Sequence, residues 1–261
     1  MKLLRTIAVT FALYSRIPMP HFEWRDEDMK YSMSVFPWVG AVIGLAYWAV
    51  FYFGVVLGLP MVAVCMLMTA VPLILTGGFH VDGFMDVSDA LSSFKTREQK
   101  LEILKDPHIG AFAVIRLCIA GLIYLASLAV VLESENAGRL VICLAAGFFL
   151  ARALSALGVL TFRSARNEGM LFYEATTAGG DRTSNLVITG LQIAAAAAIM
   201  TYVGFPAGTL MVLAAIAAFA WYKYKSYKEF GGITGDTAGW FVTVCEVAMT
   251  VAAAVAAVLM G

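Results

Sequence analysis

From Ser32 to Val81 the chain contains no Asp, Glu, Lys or Arg. A helix that crosses a bilayer needs about 20 apolar residues, so this run holds two crossings. Gly58-Leu59-Pro60 divides it, Gly and Pro permitting a tight turn there. A second uncharged run, Leu186 to Tyr222, is divided in the same way by Gly204-Phe205-Pro206-Ala207-Gly208. Further apolar segments at 109–132, 140–162 and 237 to the end complete the pattern. The expected architecture is therefore all-α, a polytopic membrane helical bundle of about six to seven transmembrane helices forming one membrane-embedded catalytic domain over residues 1–261. With 61% hydrophobic and only 14% charged residues, the chain does not describe a soluble surface.

Residues 1–31 are too interrupted to cross. Leu3-Leu4, Ile7-Ala8 and Phe11-Ala12 recur at helical spacing between Arg5 and Arg16, and Pro18 and Pro20 end the pattern. An interfacial amphipathic helix fits better than a secretory signal, for which the apolar core is short and no small-residue cleavage pattern is clear. All but Arg116, Arg139 and Arg152 of the 18 Lys and Arg residues fall in the N-terminus and three long polar segments that the crossings place on one side. By the positive-inside rule that side is cytoplasmic, which implies an integral protein of the cell inner membrane. The formal net charge of zero argues against nucleic acid as a partner. Cys65, Cys118, Cys143 and Cys245 lie in apolar stretches without Cys-x-x-Cys spacing, so neither a disulfide framework nor a zinc site is expected.

The chemistry concentrates in Thr76-Gly77-Gly78-Phe79-His80-Val81-Asp82-Gly83-Phe84-Met85-Asp86-Val87-Ser88-Asp89. In a helix, Asp82 and Asp86 stand at i and i+4 and Asp89 follows at i+3, so three carboxylates share one stripe. Like charges repel, and a divalent cation is one source of the missing counter-charge; a solvated acidic face is the alternative. The glycines around the stripe allow backbone and ligand to approach closely. The segment Lys95 to Asp106 reads as a surface helix, Lys223 to Asp236 as a polar connection, and Arg152 and Glu246 as charges inside spans. Acids for a metal together with lysines and arginines from the other polar segments for phosphate suit a diphosphate substrate held by Mg²⁺ and attacked directly by a hydroxyl. No nucleophile elbow, P-loop or dinucleotide fingerprint is present.

The Thr76–Asp86 stretch, Lys105-Asp106-Pro107-His108-Ile109-Gly110, Arg166-Asn167-Glu168-Gly169-Met170 and Gly231-Gly232-Ile233-Thr234-Gly235-Asp236-Thr237 together resemble the cobalamin synthase family, the adenosylcobinamide-GDP ribazoletransferases. The opening Tyr14-Ser15-Arg16-Ile17-Pro18-Met19-Pro20 is similar too, so the resemblance runs nearly the whole chain in order. It implies a Mg²⁺-dependent membrane enzyme of a late step of adenosylcobalamin biosynthesis. The reaction joins adenosylcobinamide-GDP to α-ribazole or its 5′-phosphate and releases GMP. On resemblance and chemistry together, Asp82 and Asp86 are the expected metal ligands, with Asp89 a third ligand or an acid behind them. Asp236 is a further ligand or the base, and His80 a hydrogen-bond donor to a phosphate or the group that orients Asp82, with a structural role the alternative. Lys105, Asp106, Arg152, Arg166, Gly78, Gly83, Gly232, Thr234 and Gly235 complete the expected substrate site. Membrane lipid surrounds such a chain, and a homo-oligomer is compatible with it. The CDP-alcohol phosphotransferases also pair membrane aspartates with a divalent ion, but this chain has Met85-Asp86 where their pattern has Ala-Arg and lacks their second acidic pair. A transporter would make Arg152 and Glu246 pathway charges, but the halves show no convincing internal repeat.

Overall fold

The computed structural model describes residues 2–20, 22–166, 169–177 and 181–260. Asn167 and Glu168 of the Arg166 motif, and Gly179 and Gly180 of the stretch before Asp181, lie outside the described residues. Among the described residues every regular element is a helix, and the only pairing of extended backbone is an isolated bridge. In order they are α1 (Lys2–Tyr14), α2 (Asp26–Met29), α3 (Ser32–Val56), α4 (Met61–Thr76), α5 (Phe79–Ser92), α6 (Arg97–Ile103), α7 (Ala111–Glu133), α8 (Ala137–Thr161), α9 (Met170–Thr177), α10 (Arg182–Gly204), α11 (Ala207–Phe230) and α12 (Gly235–Met260). Six of these, α3, α7, α8, α10, α11 and α12, are long and apolar enough to cross a membrane. The total becomes seven if the bent pair α4–α5 counts as one crossing. Helices are the expected solution where no water is available to satisfy backbone groups.

The most buried helix is α8, against which α3, α10, α11 and α12 all pack. Close approach to α3 depends on Gly40 and Gly44, where a Cβ would strike the carbonyl oxygens of Phe148 and Ala145. The Gly-x-x-x-Gly pair in the first span thus does what such pairs do in membranes, letting two backbones meet. Leu45, Leu67, Ile74, Leu122, Leu191 and Leu213 face outward, as they must where the solvent is lipid. The amphipathic helix α1 buries Val9, Phe11 and Tyr14 and leaves Leu3 and Leu4 exposed, and Arg5 clamps the Asp28 carboxylate through two bonds of 2.9 and 2.8 Å.

Two helix ends bear on the site, and the first differs from the sequence expectation. First, α11 does not end at Tyr222 but continues to Phe230, so Lys223, Lys225, Lys228 and Glu229 ride on a helix. Lys100 of α6 reaches across to Glu229 at 2.5 Å, which ties the surface helix to this extension. Second, α4 stops at Thr76, where the sequence places the end of the second span, and the acidic segment forms a separate helix. Gly77 and Gly78 lie between them, with φ of 64° and 81°, and the two helices meet at 92°. Consecutive left-handed residues are open only to glycine without strain, and at Gly77 a Cβ would also collide with the Arg16 side chain. We read α4 as the crossing half and α5 as lying across its end.

Candidate active site

The bend presents α5 sideways to the first turn of α12. At Gly83 a Cβ would stand only 2.7 Å from the Asp236 carbonyl oxygen and 3.0 Å from its Cα, so the two backbones touch where any larger residue would hold them apart. On the other side, the Gly231–Ile233 segment runs beside the chain after α8. Ala165 donates to the Ile233 carbonyl at 2.8 Å and Ile233 to the Arg163 carbonyl at 2.9 Å. Gly232 permits this pairing, since a Cβ there would press on the Arg163 carbonyl oxygen at 2.5 Å and the Ala165 nitrogen at 2.7 Å. The Arg163 guanidinium donates to the Gly231 carbonyl oxygen at 2.7 Å. Thr234 and Thr237 then cap α12 reciprocally, through Thr234 N–H to the Thr237 hydroxyl at 2.8 Å and Thr237 N–H to the Thr234 hydroxyl at 3.1 Å.

These contacts enclose a cavity of about 350 Å³ whose polar wall is Asp82, Ser164, Arg166, Thr234, Gly235 and Asp236, with Gly83 in its floor. Three segments far apart in sequence therefore meet at one place. Arg166 is steadied by donating to the Leu101 carbonyl of α6 and by the Ser164 hydroxyl, which donates to the Arg166 carbonyl at 2.6 Å. The N-terminus of α12 opens on the same space, and helix N-termini attract anions. Asp86 stands one turn along α5 from Asp82. Burial, with the charges of Asp82, Asp236 and Asp89 added, pushes its carboxyl up to about 6.

The other expected site residues lie elsewhere. Asp89 uses both carboxylate oxygens to cap α7, accepting from Gly110 N–H and from Ala113 N–H at 3.0 Å, and it is not brought to the cavity. Asp106 binds the His108 ring at 2.6 Å on an exposed turn. Lys105 lies 3.6 Å from Glu102 at the surface, beside Leu104, which does line the cavity. Gly78 shapes the bend, and Gly232 the paired segment, rather than either meeting the open space. Arg152 is fully buried within α8 and pairs with Glu246 of α12 at 2.7 Å, while donating to the Phe148 carbonyl oxygen at 3.0 Å. It neither snorkels to an interface nor reaches the polar cavity. His80 is buried away from the polar wall, stacked on Phe36 with ring centroids 5.7 Å apart.

Sequence reasoning did not find Ser164, nor Phe79, Leu104 and Leu171 among the cavity's walls. The pairing of Arg152 with Glu246 had a signal, because an isolated cation and an isolated anion in two apolar spans each need a partner.

Among the described residues, no three His, Cys, Asp or Glu side chains stand close enough together to enclose a metal ion unaided. Mg²⁺ does not require such a cage, since it takes one or two carboxylates and completes its shell with phosphate oxygens and water. The acidic pair on α5, with a carboxyl held above its ordinary range by burial and the charges around it, fits that kind of donor set.

The profile of cobalamin-5-phosphate synthases matches residues 6–254. The chain belongs to this family. A protein of Lachnoclostridium phytofermentans named adenosylcobinamide-GDP ribazoletransferase is 37% identical, over 98% of this chain and 95% of its own length. Relatives of the same name from Clostridium perfringens and Listeria monocytogenes are each 30% identical, covering 93% and 90% of this chain and 94% and 92% of their own lengths. No solved structure matches. The cavity is where three of the motifs singled out in the sequence, those of Asp82, Arg166 and Asp236, meet.

Proposed function

We propose that the chain is an adenosylcobinamide-GDP ribazoletransferase, a transferase of cobalamin biosynthesis that joins adenosylcobinamide-GDP to α-ribazole or its 5′-phosphate and releases GMP. One observation supports this reading above the others: Asp82, Arg166 and Asp236, from three separate motifs, line a single cavity. In this reading the cavity faces the cytoplasm from the inner membrane, because the N-terminus and the motif segments hold nearly all the basic residues. The CDP-alcohol phosphotransferase and transporter alternatives are not favoured, since the family match covers almost the whole chain.

The reaction is a phosphoryl-group displacement, in which positioning and charge neutralisation are the protein's main tasks. The acceptor's ribose hydroxyl oxygen forms a bond to the cobinamide-side phosphorus of the diphosphate. The bond from that phosphorus to the bridging oxygen breaks, and GMP departs with the electron pair. Arg166 and the N-terminus of α12 offset the charge on the phosphate oxygens. Asp236, on the first turn of α12 beside α5, accepts the hydroxyl proton. Asp82 and Asp86 would hold Mg²⁺, which when bound neutralises the diphosphate. Lys105, on the surface next to the cavity-lining Leu104, would add positive charge for an incoming anionic substrate.

The test is an assay of purified protein with adenosylcobinamide-GDP, α-ribazole and Mg²⁺, following GMP. Stoichiometric GMP and coupled product are expected. Release of CMP from a CDP-alcohol, with no GMP from the corrinoid donor, would replace this reading with the phosphotransferase alternative.

A further inference from the structure

Beside the polar cavity lies a second, smaller one of about 70 Å³, and the two share Phe79, Leu171 and Gly235 as walls. A single water needs roughly 10–15 Å³ by this measure, so the space exceeds what one or two waters fill. Its walls are largely aromatic and aliphatic: Tyr14 of α1, Phe36 of α3, Phe79 and His80 of α5, with Val159 and Ala238 behind them. The rings pack on one another, Tyr14 to Phe36 at 4.3 Å, Tyr14 to Phe79 at 5.8 Å and Phe79 to His80 at 5.5 Å between centroids. Phe79 is 51% exposed although it is large and apolar, and it stands where the two cavities adjoin.

His80 is the unusual member of this wall. Its side chain is only 5% exposed, and neither ring nitrogen has a hydrogen-bond partner. A neutral imidazole carries one donor and one acceptor, and leaving both unmet in a buried site is costly. The ring is fixed by its stack on Phe36 and by the chain around it, where Thr243 donates to the His80 carbonyl oxygen at 3.3 Å and Gly239 approaches closely. It is thus held in place with both nitrogens unmet, between this pocket and a larger cavity of about 120 Å³ that has Arg152 and Glu246 among its walls.

We propose that this aromatic pocket receives the heteroaromatic base of the acceptor nucleoside, and that His80 bonds a nitrogen of that base. The inference rests on the transferase reading above and assigns part of its specificity. A nucleoside whose ribose hydroxyl lies in the polar cavity has its base a sugar's width away, and the shared walls put this pocket there. The chemistry of the pocket selects the kind of base. Among its lining residues only Tyr14, His80 and Ser155 carry a side-chain nitrogen or oxygen. Guanine presents several polar groups along its edge and would leave most of them unmet, which a buried site penalises. Benzimidazole, the base of α-ribazole, is flat and apolar with one free ring nitrogen. It stacks on the surrounding rings and asks for a single hydrogen bond.

The experiment compares the wild type with His80→Phe, which keeps the stack on Phe36 and removes both nitrogens, and with Ala238→Leu, which fills the pocket from α12. Thermal unfolding in detergent checks that both fold. In each variant the KM for α-ribazole should rise about tenfold, the effect of losing one buried hydrogen bond or its equivalent in packing. The KM for adenosylcobinamide-GDP should stay within about twofold of the wild-type value. An acceptor analogue with carbon in place of the free ring nitrogen should serve the wild type about tenfold less well than α-ribazole, and His80→Phe should treat the two alike. Unchanged acceptor KM in both folded variants, with the nitrogen preference intact, would overturn the proposal and leave the pocket to water. If the wild type transfers nothing, the transferase reading fails separately, and calorimetric titration of α-ribazole into wild type and His80→Phe still decides whether this pocket binds the base.

Discussion

Replacing Gly83 by Ala adds one methyl group at the contact between α5 and the first turn of α12. Its nearest neighbour would be the Asp236 carbonyl oxygen at 2.7 Å, whereas ordinary contact begins at 3.4 Å, so one helix must retreat by about 0.7 Å. The neighbour is backbone, not the end of a flexible side chain, so no rotamer change relieves it. Overpacking of this kind costs about 1–3 kcal/mol of stability. The effect on rate should be larger in proportion, because Asp82 sits one residue before the contact and Asp236 forms it. Misplacing reacting groups by about 1 Å can cost about a hundredfold, so Gly83→Ala should lose between tenfold and a hundredfold in kcat. Gly190→Ala in α10 is the control, since a Cβ there meets nothing within 4 Å, and helix propensity makes it neutral or stabilising by up to about 1 kcal/mol. The assay is GMP release by protein in proteoliposomes, with thermal unfolding measured alongside. If Gly83→Ala turned over within threefold of the wild type, the α5–α12 contact would not be what sets the site's geometry.

Three further outcomes follow from other parts of the molecule. Arg152→Ala or Glu246→Gln strands a buried charge and should cost about 3–5 kcal/mol in detergent unfolding, whereas replacing both by Met and Leu should recover most of it; singles no less stable than the double would show that the pair contributes nothing. Asp89→Ala removes a helix cap and should lower stability by about 1 kcal/mol while leaving the Mg²⁺ dependence of turnover unchanged; a shifted Mg²⁺ requirement would return Asp89 to the metal site. The Asp86 carboxyl, raised to about 6 in the folded chain, contributes stability that is present below the ordinary carboxylate range and is lost as pH rises through about 6. In chelator, Asp86→Asn should therefore gain stability relative to the wild type on going from pH 5 to 7.5, and saturating Mg²⁺ should cancel that gain; equal pH profiles for the two proteins would contradict it.

The spans were legible because charge is so costly in lipid that a long uncharged run seldom arises except as a crossing. Gly58-Leu59-Pro60 and Gly204–Gly208 marked real turns between helices. The extension of α11 was not legible, because Lys223, Lys225 and Lys228 read as the start of a loop although Lys is a good helix former and a helix can leave the membrane without ending. The stripe on α5 showed that Asp82, Asp86 and Asp89 share a face, but one face can look toward two places. Asp89 lies two turns along and meets the start of α7, where unsatisfied N–H groups claim it. Arg152 and Arg166 looked alike as cations near polar motifs. Depth separates them, since Arg152 is more than two turns inside α8 and finds its counter-charge in Glu246. Glycines were visible as a group, yet only packing distinguishes Gly83 and Gly232, which let backbones touch, from Gly78, which sets the bend.

The central claim is that the cavity between α5, α12 and the Arg166 segment performs the transfer with a divalent ion held by α5. Turnover of Asp82→Asn against Mg²⁺ concentration tests it most directly, because the substitution keeps the side chain's size and removes only its charge. Losing one charge-assisted contact to the ion is worth roughly 3 kcal/mol, so the rate should fall about a hundredfold and the Mg²⁺ requirement should rise, with thermal stability in chelator unchanged or slightly higher. A variant that releases GMP at the wild-type rate with the wild-type Mg²⁺ dependence would contradict the account and leave the acidic stripe as a surface.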